Sequence, residues 1–221
     1  MYKRQGYRSS IDHTLEGTIR IPDSPVGPAA FGPAIKAGVT LPEIVTLSLR
    51  QVLSPSWTVL GSVEWSHWSR LEKLDVVCAN NPAGNPVFCP GGNGQLVRSL
   101  PLGWHDSWFV SLGAEHQYSD RLTLRTGVAY EKSPVQAADE RTLRVPDVDR
   151  LWTSIGASYK WNEAMTLDFA YTHIFGIGDD QIDRTESGIR FVGSVDSQVD
   201  IFSVALRMKL GGGTEYHEPV K

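Results

Sequence analysis

The sequence is poor in three features that often reveal a function directly: long apolar runs, clustered positive charge and cysteine. No stretch holds eighteen consecutive apolar residues, which excludes a membrane-spanning helix. The 21 lysines and arginines, against 25 acidic residues for a net charge of −4, are scattered singly. Because no basic stripe exists to follow a phosphate backbone, nucleic acid is not an expected partner.

Catalytic motifs are equally scarce. The six histidines are dispersed, and no Gly-x-Ser-x-Gly elbow is present. Ser66-His67 and His105-Asp106-Ser107 place candidate groups together, but adjacent strand residues point to opposite faces and cannot form a triad by themselves. The sequence therefore predicts no enzyme, no cofactor and no metal site. A lipase built on a membrane barrel is kept as a minor alternative.

What the sequence does contain is a two-residue alternation of apolar and polar side chains. The composition, 41% hydrophobic with 21 Gly and 13 Pro, suits strands and turns. The alternation marks eight segments, each with one apolar face: 5–21, 35–53, 56–76, 104–118, 121–132, 150–161, 164–175 and 198–210. An all-β, antiparallel fold is therefore predicted.

The connections alternate in length. Short turns fall at 54–55, 119–120 and 162–163, and long loops at 22–34, 77–103, 133–149 and 176–197. This alternation is typical of a transmembrane β-barrel in a Gram-negative outer membrane, with short periplasmic turns and long outer loops. Both termini are then expected in the periplasm. Residues 1–10 lack the apolar core of a signal peptide, so we expect a chain that begins within a longer protein.

Aromatic residues give a second indication of a membrane wall. An amphipathic ring suits the membrane-water interface, so Trp and Tyr should gather at both ends of the strands. Trp57, Tyr118 and Trp161 fall near the short turns, and Trp65, Trp104, Trp108, Tyr130 and Tyr171 nearer the long loops. By parity Trp68 and Trp152 should point inward. The alternative is that aromatic residues simply favour strands.

The two cysteines, Cys78 and Cys89, bracket ten residues in the longest loop. In a protein assembled through an oxidising periplasm they are expected to form a disulfide. A pair of free thiols is the alternative. A zinc site is disfavoured because about four ligands are needed and the neighbourhood offers no others.

Charged residues recur on the polar face of the predicted strands, about one to a strand. They are Arg50, Glu64, Glu115, Arg125, Lys160, Asp168 and Arg207. In a water-soluble sandwich they would be a solvated face, whereas in a barrel they line the lumen and pair across strands. All but Lys160 are candidates for a ligand pathway. Arg50 or Arg125 could hold a ligand carboxylate through two hydrogen bonds.

Three motifs resemble the FadL/TodX family of outer-membrane transporters of hydrophobic compounds. They are LPEIVTL from Leu41, WHDSW from Trp104, and SPV followed by RVPDVDR within residues 133–150. The resemblance covers nearly the whole chain up to Leu210. It implies a fourteen-stranded barrel of which these are the last eight strands, and an N-terminal hatch that lies outside this sequence.

The expected organisation is barrel strands over residues 1–210 and a disordered tail over 211–221. The resemblance implies passive transport of long-chain fatty acids or similar hydrocarbons by a monomer. Outer-membrane lipid and lipopolysaccharide are expected as neighbours. A self-contained eight-stranded structural or adhesion barrel is the principal alternative.

Overall fold

The computed structural model describes residues 1–19, 33–80, 89–186 and 188–209. Apart from one 3-10 turn at Trp68–Arg70, every regular element in these residues is a β-strand. The strands are β1 (Tyr2–Arg8), β2 (Ile11–Thr18), β3 (Ala34–Leu41), β4 (Ile44–Val52), β5 (Trp57–Ser66), β6 (Lys73–Ala79), β7 (Leu96–Pro101), β8 (Ser107–Gln117), β9 (Leu122–Glu131), β10 (Asp149–Lys160), β11 (Met165–Ile177), β12 (Gln181–Glu186), β13 (Ile189–Ser194) and β14 (Gln198–Met208). The all-β prediction is confirmed.

The main sheet has eight antiparallel strands in the order β1-β4-β5-β8-β9-β10-β11-β14. Each predicted segment contributes one strand to it. In the described part of the chain the edge strands β1 and β14 do not pair with each other, so the sheet stays open. The alternative of a self-contained eight-stranded barrel is therefore not what the structure shows.

The pairing register sorts side chains onto two contrasting faces. In β10, Ile155 lies opposite Thr126 and Tyr171, whereas Gly156 lies opposite Arg125 and Ala170. The face that carries Ile155 is apolar on nearly every strand, and many of its large side chains are exposed, including Leu47, Leu112, Ile155, Phe169, Phe202 and Val204. Exposing so much apolar surface to water is unfavourable, which makes hydrocarbon the natural neighbour of this face.

Three short turns close one rim of the sheet. Backbone hydrogen bonds join Leu53 to Trp57 at 2.9 Å, Tyr118 to Leu122 at 2.9 Å and Trp161 to Met165 at 3.0 Å. The outer ends of the edge strands lie at the same rim, because Tyr2 pairs with Arg50 and Met208 pairs with Met165. The long loops, including the cysteine loop, leave from the opposite rim, as predicted.

The predicted segment lengths need correction at that opposite rim. Segment 5–21 is two strands separated by Ser9 and Ser10, and segment 35–53 is interrupted at Pro42 and Glu43. Segment 56–76 is interrupted by the 3-10 turn. The outer pieces pair separately as a four-stranded sheet, β2-β3-β6-β7, and β12 and β13 form a hairpin inside the predicted loop 176–197. Alternation continues through each bend, so the pattern did not show where the chain left the main sheet.

The aromatic assignments hold in part. Trp68 lies in the 3-10 turn, so the strand parity that placed it inward does not apply. Its ring meets Trp104 edge to face at 5.2 Å. Trp152 does lie on the polar face, opposite Ala129.

Two arginines tie the outer loops together. Arg141, only 1% exposed, donates hydrogen bonds to the carbonyl oxygens of Asp147 at 2.9 Å, Asp179 at 2.8 Å and Gln181. Arg184 donates at 2.9–3.0 Å to the carbonyl oxygens of Pro101, Asp139 and Glu140. These hydrogen bonds join three outer segments: the connection between β9 and β10, the β12-β13 hairpin and the end of β7.

Two predicted segments lie outside the described residues. They are the predicted loop 22–34, except for its last two residues, and the predicted tail.

Candidate functional site

The polar face of the eight-stranded sheet brings the predicted charged residues together. The register places all seven on this one face, each on a different strand: Arg50, Glu64, Glu115, Arg125, Lys160, Asp168 and Arg207. Parity alone was sufficient to predict this arrangement. It did not predict which charges pair.

Five of these charges form a row near the short-turn rim. Nη2 of Arg50 lies 3.5 Å from Oε1 of Glu115, across the intervening strand β5. Nε of Arg125 donates to the other oxygen of Glu115 at 2.7 Å. Glu115 is therefore shared by two guanidinium groups. These three residues continue into Ser158, Asp168 and Arg207. We call the six residues the lower charged row.

The lower charged row continues to the edge of the sheet through a serine. Nη1 of Arg125 donates to Oγ of Ser158 at 2.6 Å, and that hydroxyl donates to Asp168. Asp168 also receives two hydrogen bonds from Arg207, at 2.6 and 2.9 Å. Ser158 was not among the predicted site residues, although its parity placed it on this face. The row holds three arginines and two acids, so its formal charge is positive.

A second polar cluster lies nearer the long-loop rim. Nη1 of Arg150 donates to Oε1 of Glu131 at 3.0 Å, and Nε1 of Trp152 donates to Oε2 of the same carboxylate at 3.0 Å. Arg150 also pairs with Asp147. We call these four residues the upper polar cluster. Glu64, a predicted site residue, stands apart from both groups and accepts a hydrogen bond from Thr46 at 2.8 Å.

Between the two polar groups the same face carries small side chains. Gly113, Gly127, Gly156, Ala129, Ala170 and Ser203 lie there on adjacent strands. A cavity of 790 Å³ opens over them, and its lining includes Phe109, Trp152 and Ile201. The lower charged row borders this cavity through Arg125, Asp168 and Arg207. The cavity therefore has an apolar middle and a charged lower end.

Two glycines are needed for this cavity. A Cβ at Gly127 would lie 3.0 Å from Oγ of Ser154, and one at Gly156 would lie 3.1 Å from the carbonyl oxygen of Phe169. Both contacts are tighter than ordinary van der Waals distances. A larger residue at either position would push against its neighbour and project into the open space.

The cysteine pair lies in the outer four-stranded sheet. Cys78, at the end of β6, is joined to Cys89 by a disulfide with Cα atoms 6.0 Å apart, and both residues are fully buried. The bond closes a loop whose residues 81–88 lie outside the described part of the chain. It stands beyond the main sheet and takes no part in the cavity.

The two histidine motifs do not form a catalytic site in the described residues. Nδ1 of His67 lies 2.8 Å from Glu43, and Nε2 of His105 lies 3.0 Å from Glu140. Each histidine thus contacts a carboxylate and not a serine hydroxyl. The hydrogen bond from His67 lowers the pKa of Glu43, and a further hydrogen bond from Arg70 adds to this effect against the opposing effect of burial. This geometry suits hydrogen bonds that fix the rim.

Within the described ranges no three His, Cys, Asp or Glu side chains gather closely enough to hold a metal ion. The only helical element there has three residues, and no helix of the described chain could span a bilayer.

These features define a class of protein. A continuous antiparallel sheet with paired charges on one face and exposed apolar side chains on the other is the wall of a transmembrane β-barrel. A family described as outer membrane protein transport protein (OMPP1/FadL/TodX) matches residues 4–210. The chain belongs to that family, and the resemblance seen in the sequence is confirmed.

Individual relatives agree with this assignment. The chain is 30% identical over 173 residues to a long-chain fatty acid transport protein of Escherichia coli O6:H1, which covers 77% of this chain and 35% of that protein. It is 32% identical over 148 residues to outer membrane protein P1 of Haemophilus influenzae, covering 64% and 29%. The chain thus spans about a third of the length of these relatives.

Solved structures share the fold. A Pseudomonas aeruginosa FadL homologue aligns with a TM-score of 0.78 at 20% identity, covering 93% of this chain and 48% of that one. The Ralstonia pickettii toluene transporter TbuX aligns with a TM-score of 0.53 at 16% identity, covering 93% and 44%. The chain therefore aligns with slightly less than half of the length of each of these two proteins.

Proposed function

We propose that this chain forms part of a barrel wall through which long-chain fatty acids, or comparable hydrophobic compounds, diffuse passively across an outer membrane. The observation that carries the proposal is the 790 Å³ cavity on the polar face, with small side chains in its middle and the lower charged row at its end. A path that encloses an acyl chain needs room and apolar contact. The small side chains between the lower charged row and the upper polar cluster leave that room, and the apolar residues around them supply the contact. No bond is made or broken in such a step.

The lower charged row also favours an amphiphile with a carboxylate. Arg125 and Arg207 are each held by two hydrogen bonds to side chains of the row. Arg50 makes a single ion pair at 3.5 Å and is 43% exposed, so most of its donors are available. A guanidinium can bind a carboxylate through two parallel hydrogen bonds. We therefore assign Arg50 as the residue that meets the ligand head group.

The remaining predicted site residues have supporting roles in this proposal. Glu115 and Asp168 hold the arginines of the row in place, and Glu64 orients Thr46 above them. The ligands named for relatives, long-chain fatty acids in one case and toluene in another, differ in whether they carry a charge. The free donors of Arg50 favour the charged ligand.

The arrangement of rims supports an orientation. The short-turn rim carries both described chain ends and the lower charged row. Short turns face the periplasm in barrels of this kind. We infer that the lower charged row lies at the periplasmic end of the path, in the outer membrane of a Gram-negative bacterium, and that the protein works as a monomer surrounded by lipid and lipopolysaccharide.

A matched pair of variants tests the path. The assay uses a completed barrel, in which this chain continues from the N-terminal part of the P. aeruginosa FadL homologue, expressed in cells without their own transporter. The tryptophan of Ser203→Trp would fill the cavity. Val204 is the next residue and lies on the opposite face, so the tryptophan of Val204→Trp would project from the apolar face. Oleate uptake should fall several-fold in the first variant and stay unchanged in the second. Equal uptake by both variants and by the parent would contradict the proposed path.

A further inference from the structure

A polar cluster interrupts the apolar face of the sheet at its edge. The hydroxyl of Tyr171 on β11 donates to Oδ1 of Asp200 on β14 at 2.7 Å. Nδ1 of His173 lies 2.7 Å from the same oxygen, so that nitrogen carries the proton. By register these three side chains share the face that bears Phe169 and Val204, not the face of the charged row.

The cluster leaves one strong acceptor open. Oδ2 of Asp200 has no hydrogen-bond partner among the described residues, and the Asp200 side chain is 52% exposed. A carboxylate that faces outward from a membrane wall needs donors from its surroundings, because hydrocarbon offers none. The partner of this oxygen must therefore come from outside the described chain.

The height of Asp200 decides what those surroundings are. It lies eight residues from Met208, which marks the short-turn rim. At a rise of about 3.3 Å per residue and a tilt of roughly 40°, this places it about 20 Å above that rim, near the top of an apolar band about 25 Å tall. The open oxygen therefore lies in the upper part of the apolar band, within reach of outer-leaflet head groups.

Aromatic rings and a groove complete the surroundings. Phe202 stacks on Tyr171 with ring centroids 4.8 Å apart, and Phe175 lies 4.1 Å from His173. At the same level along the strands as Tyr171 and His173, a groove of 510 Å³ runs across β10, β9 and β8 over the small side chains Ala114, Thr126 and Thr153. Tyr171 lines this groove and belongs to the cluster, so the two features are continuous.

We propose that the Tyr171–His173–Asp200 cluster and this groove bind an outer-leaflet glycolipid. Sugar hydroxyls donate to Oδ2 of Asp200, the apolar faces of the sugar ring cover the flanking phenylalanines, and one acyl chain lies in the groove. A choline head group has no donor for this oxygen. The site lies on the opposite face of the sheet from the ligand path, so it is independent of the proposed transport, and its assignment to the outer leaflet rests on the orientation proposed above.

The test measures binding of three lipids with identical acyl chains: a glucosyl diacylglycerol, a phosphatidylethanolamine and a phosphatidylcholine. Native mass spectrometry of the completed barrel in detergent micelles should show the glycolipid bound most tightly. Asp200→Leu, which places a lipid-compatible side chain on the surface, should reduce the preference for the glycolipid over phosphatidylcholine by about tenfold, the loss of one charge-assisted hydrogen bond. Gln198→Leu, on the same face of β14, is the matched control and should leave the preference unchanged.

Three results would overturn the site. They are a preference that survives Asp200→Leu, an equal loss in Gln198→Leu, and tighter binding of phosphatidylethanolamine, which would make the ligand an amine and not a sugar.

Discussion

Arg207 and Asp168 face each other across β14 and β11 through two parallel hydrogen bonds, with Nε to Oδ2 at 2.6 Å and Nη2 to Oδ1 at 2.9 Å. The pair anchors the edge strand to the rest of the sheet on its polar face. Asp168 also accepts from Ser158, which binds Arg125. Its carboxylate is therefore the link between the edge and the middle of the lower charged row.

Removing that link should weaken the sheet more than removing an isolated pair. In the completed barrel, Asp168→Ala leaves Arg207 and Ser158 without their acceptor. The urea concentration at which half of the variant barrel is unfolded should therefore fall. Asp183→Ala is the control, because Asp183 pairs with Arg190 alone in the outer hairpin and should change the midpoint little. Equal shifts for the two variants would mean that the row adds nothing beyond an ordinary surface pair.

Arg50→Gln tests the head-group assignment. Losing a hydrogen-bonded charge partner costs about 1.5–3 kcal/mol, and exposure of Arg50 favours the lower end, so binding of oleate to the completed barrel should weaken by roughly tenfold. Binding of the uncharged 1-dodecene should stay the same. Gln51→Asn, on the opposite face of the same strand, serves as the control variant. A loss that is equal for both ligands would assign Arg50 a structural role.

The disulfide should be present in the folded protein. Because Cys78 and Cys89 are bonded and fully buried, a thiol reagent should label neither residue in folded, unreduced protein and should label both after reduction and unfolding. Mass spectrometry counts the labels. Two labels without reduction, in unfolded protein, would show that the thiols are free.

Acid should loosen the connection between β9 and β10. Burial would raise the pKa of Glu140, but hydrogen bonds from His105 and from the backbone amide of Gln136 outweigh it and hold the pKa below the usual 4.5. A carboxyl with a depressed pKa contributes stability that is present above its unfolded value and lost as the pH falls through the folded value. Amide protection at Gln136 and Ala137, corrected for intrinsic exchange, should therefore drop below about pH 4.5.

Glu140→Gln isolates this effect, because the amide cannot ionise. In that variant the protection of the two amides should no longer depend on pH over the same interval. A pH-dependent loss that persists in Glu140→Gln would assign the effect to other carboxyl groups.

Much of the wall could be predicted from the sequence because successive side chains of a strand point to opposite faces of the sheet. Ile155 and Gly156 illustrate this, since parity alone assigned them to opposite faces. The pairing partners could not be predicted, because they depend on register. Arg50 and Glu115 meet across an intervening strand, and neither the separation of 65 positions nor their types points to the contact.

The outer four-stranded sheet and the loops around it could not be predicted from the sequence for a related reason. Alternation continues from β1 into β2 and from β3 into β4, so the bends at Ser9-Ser10 and Pro42 left no change of period. The buried Arg141 gave no sequence signal either. Its partners are three backbone carbonyls brought close only by the fold, and backbone groups look the same at every position.

We propose that these strands are a segment of a transport wall whose open edges must be paired before anything can pass. Unpaired backbone groups facing hydrocarbon each cost several kcal/mol, and eight strands closed on themselves leave an interior filled by side chains. Oleate uptake by cells without their own transporter measures this directly, with the 221-residue chain compared to the completed barrel. We expect uptake by the completed barrel and none above background by the 221 residues alone; equal uptake by both would show that the missing strands are not needed for passage.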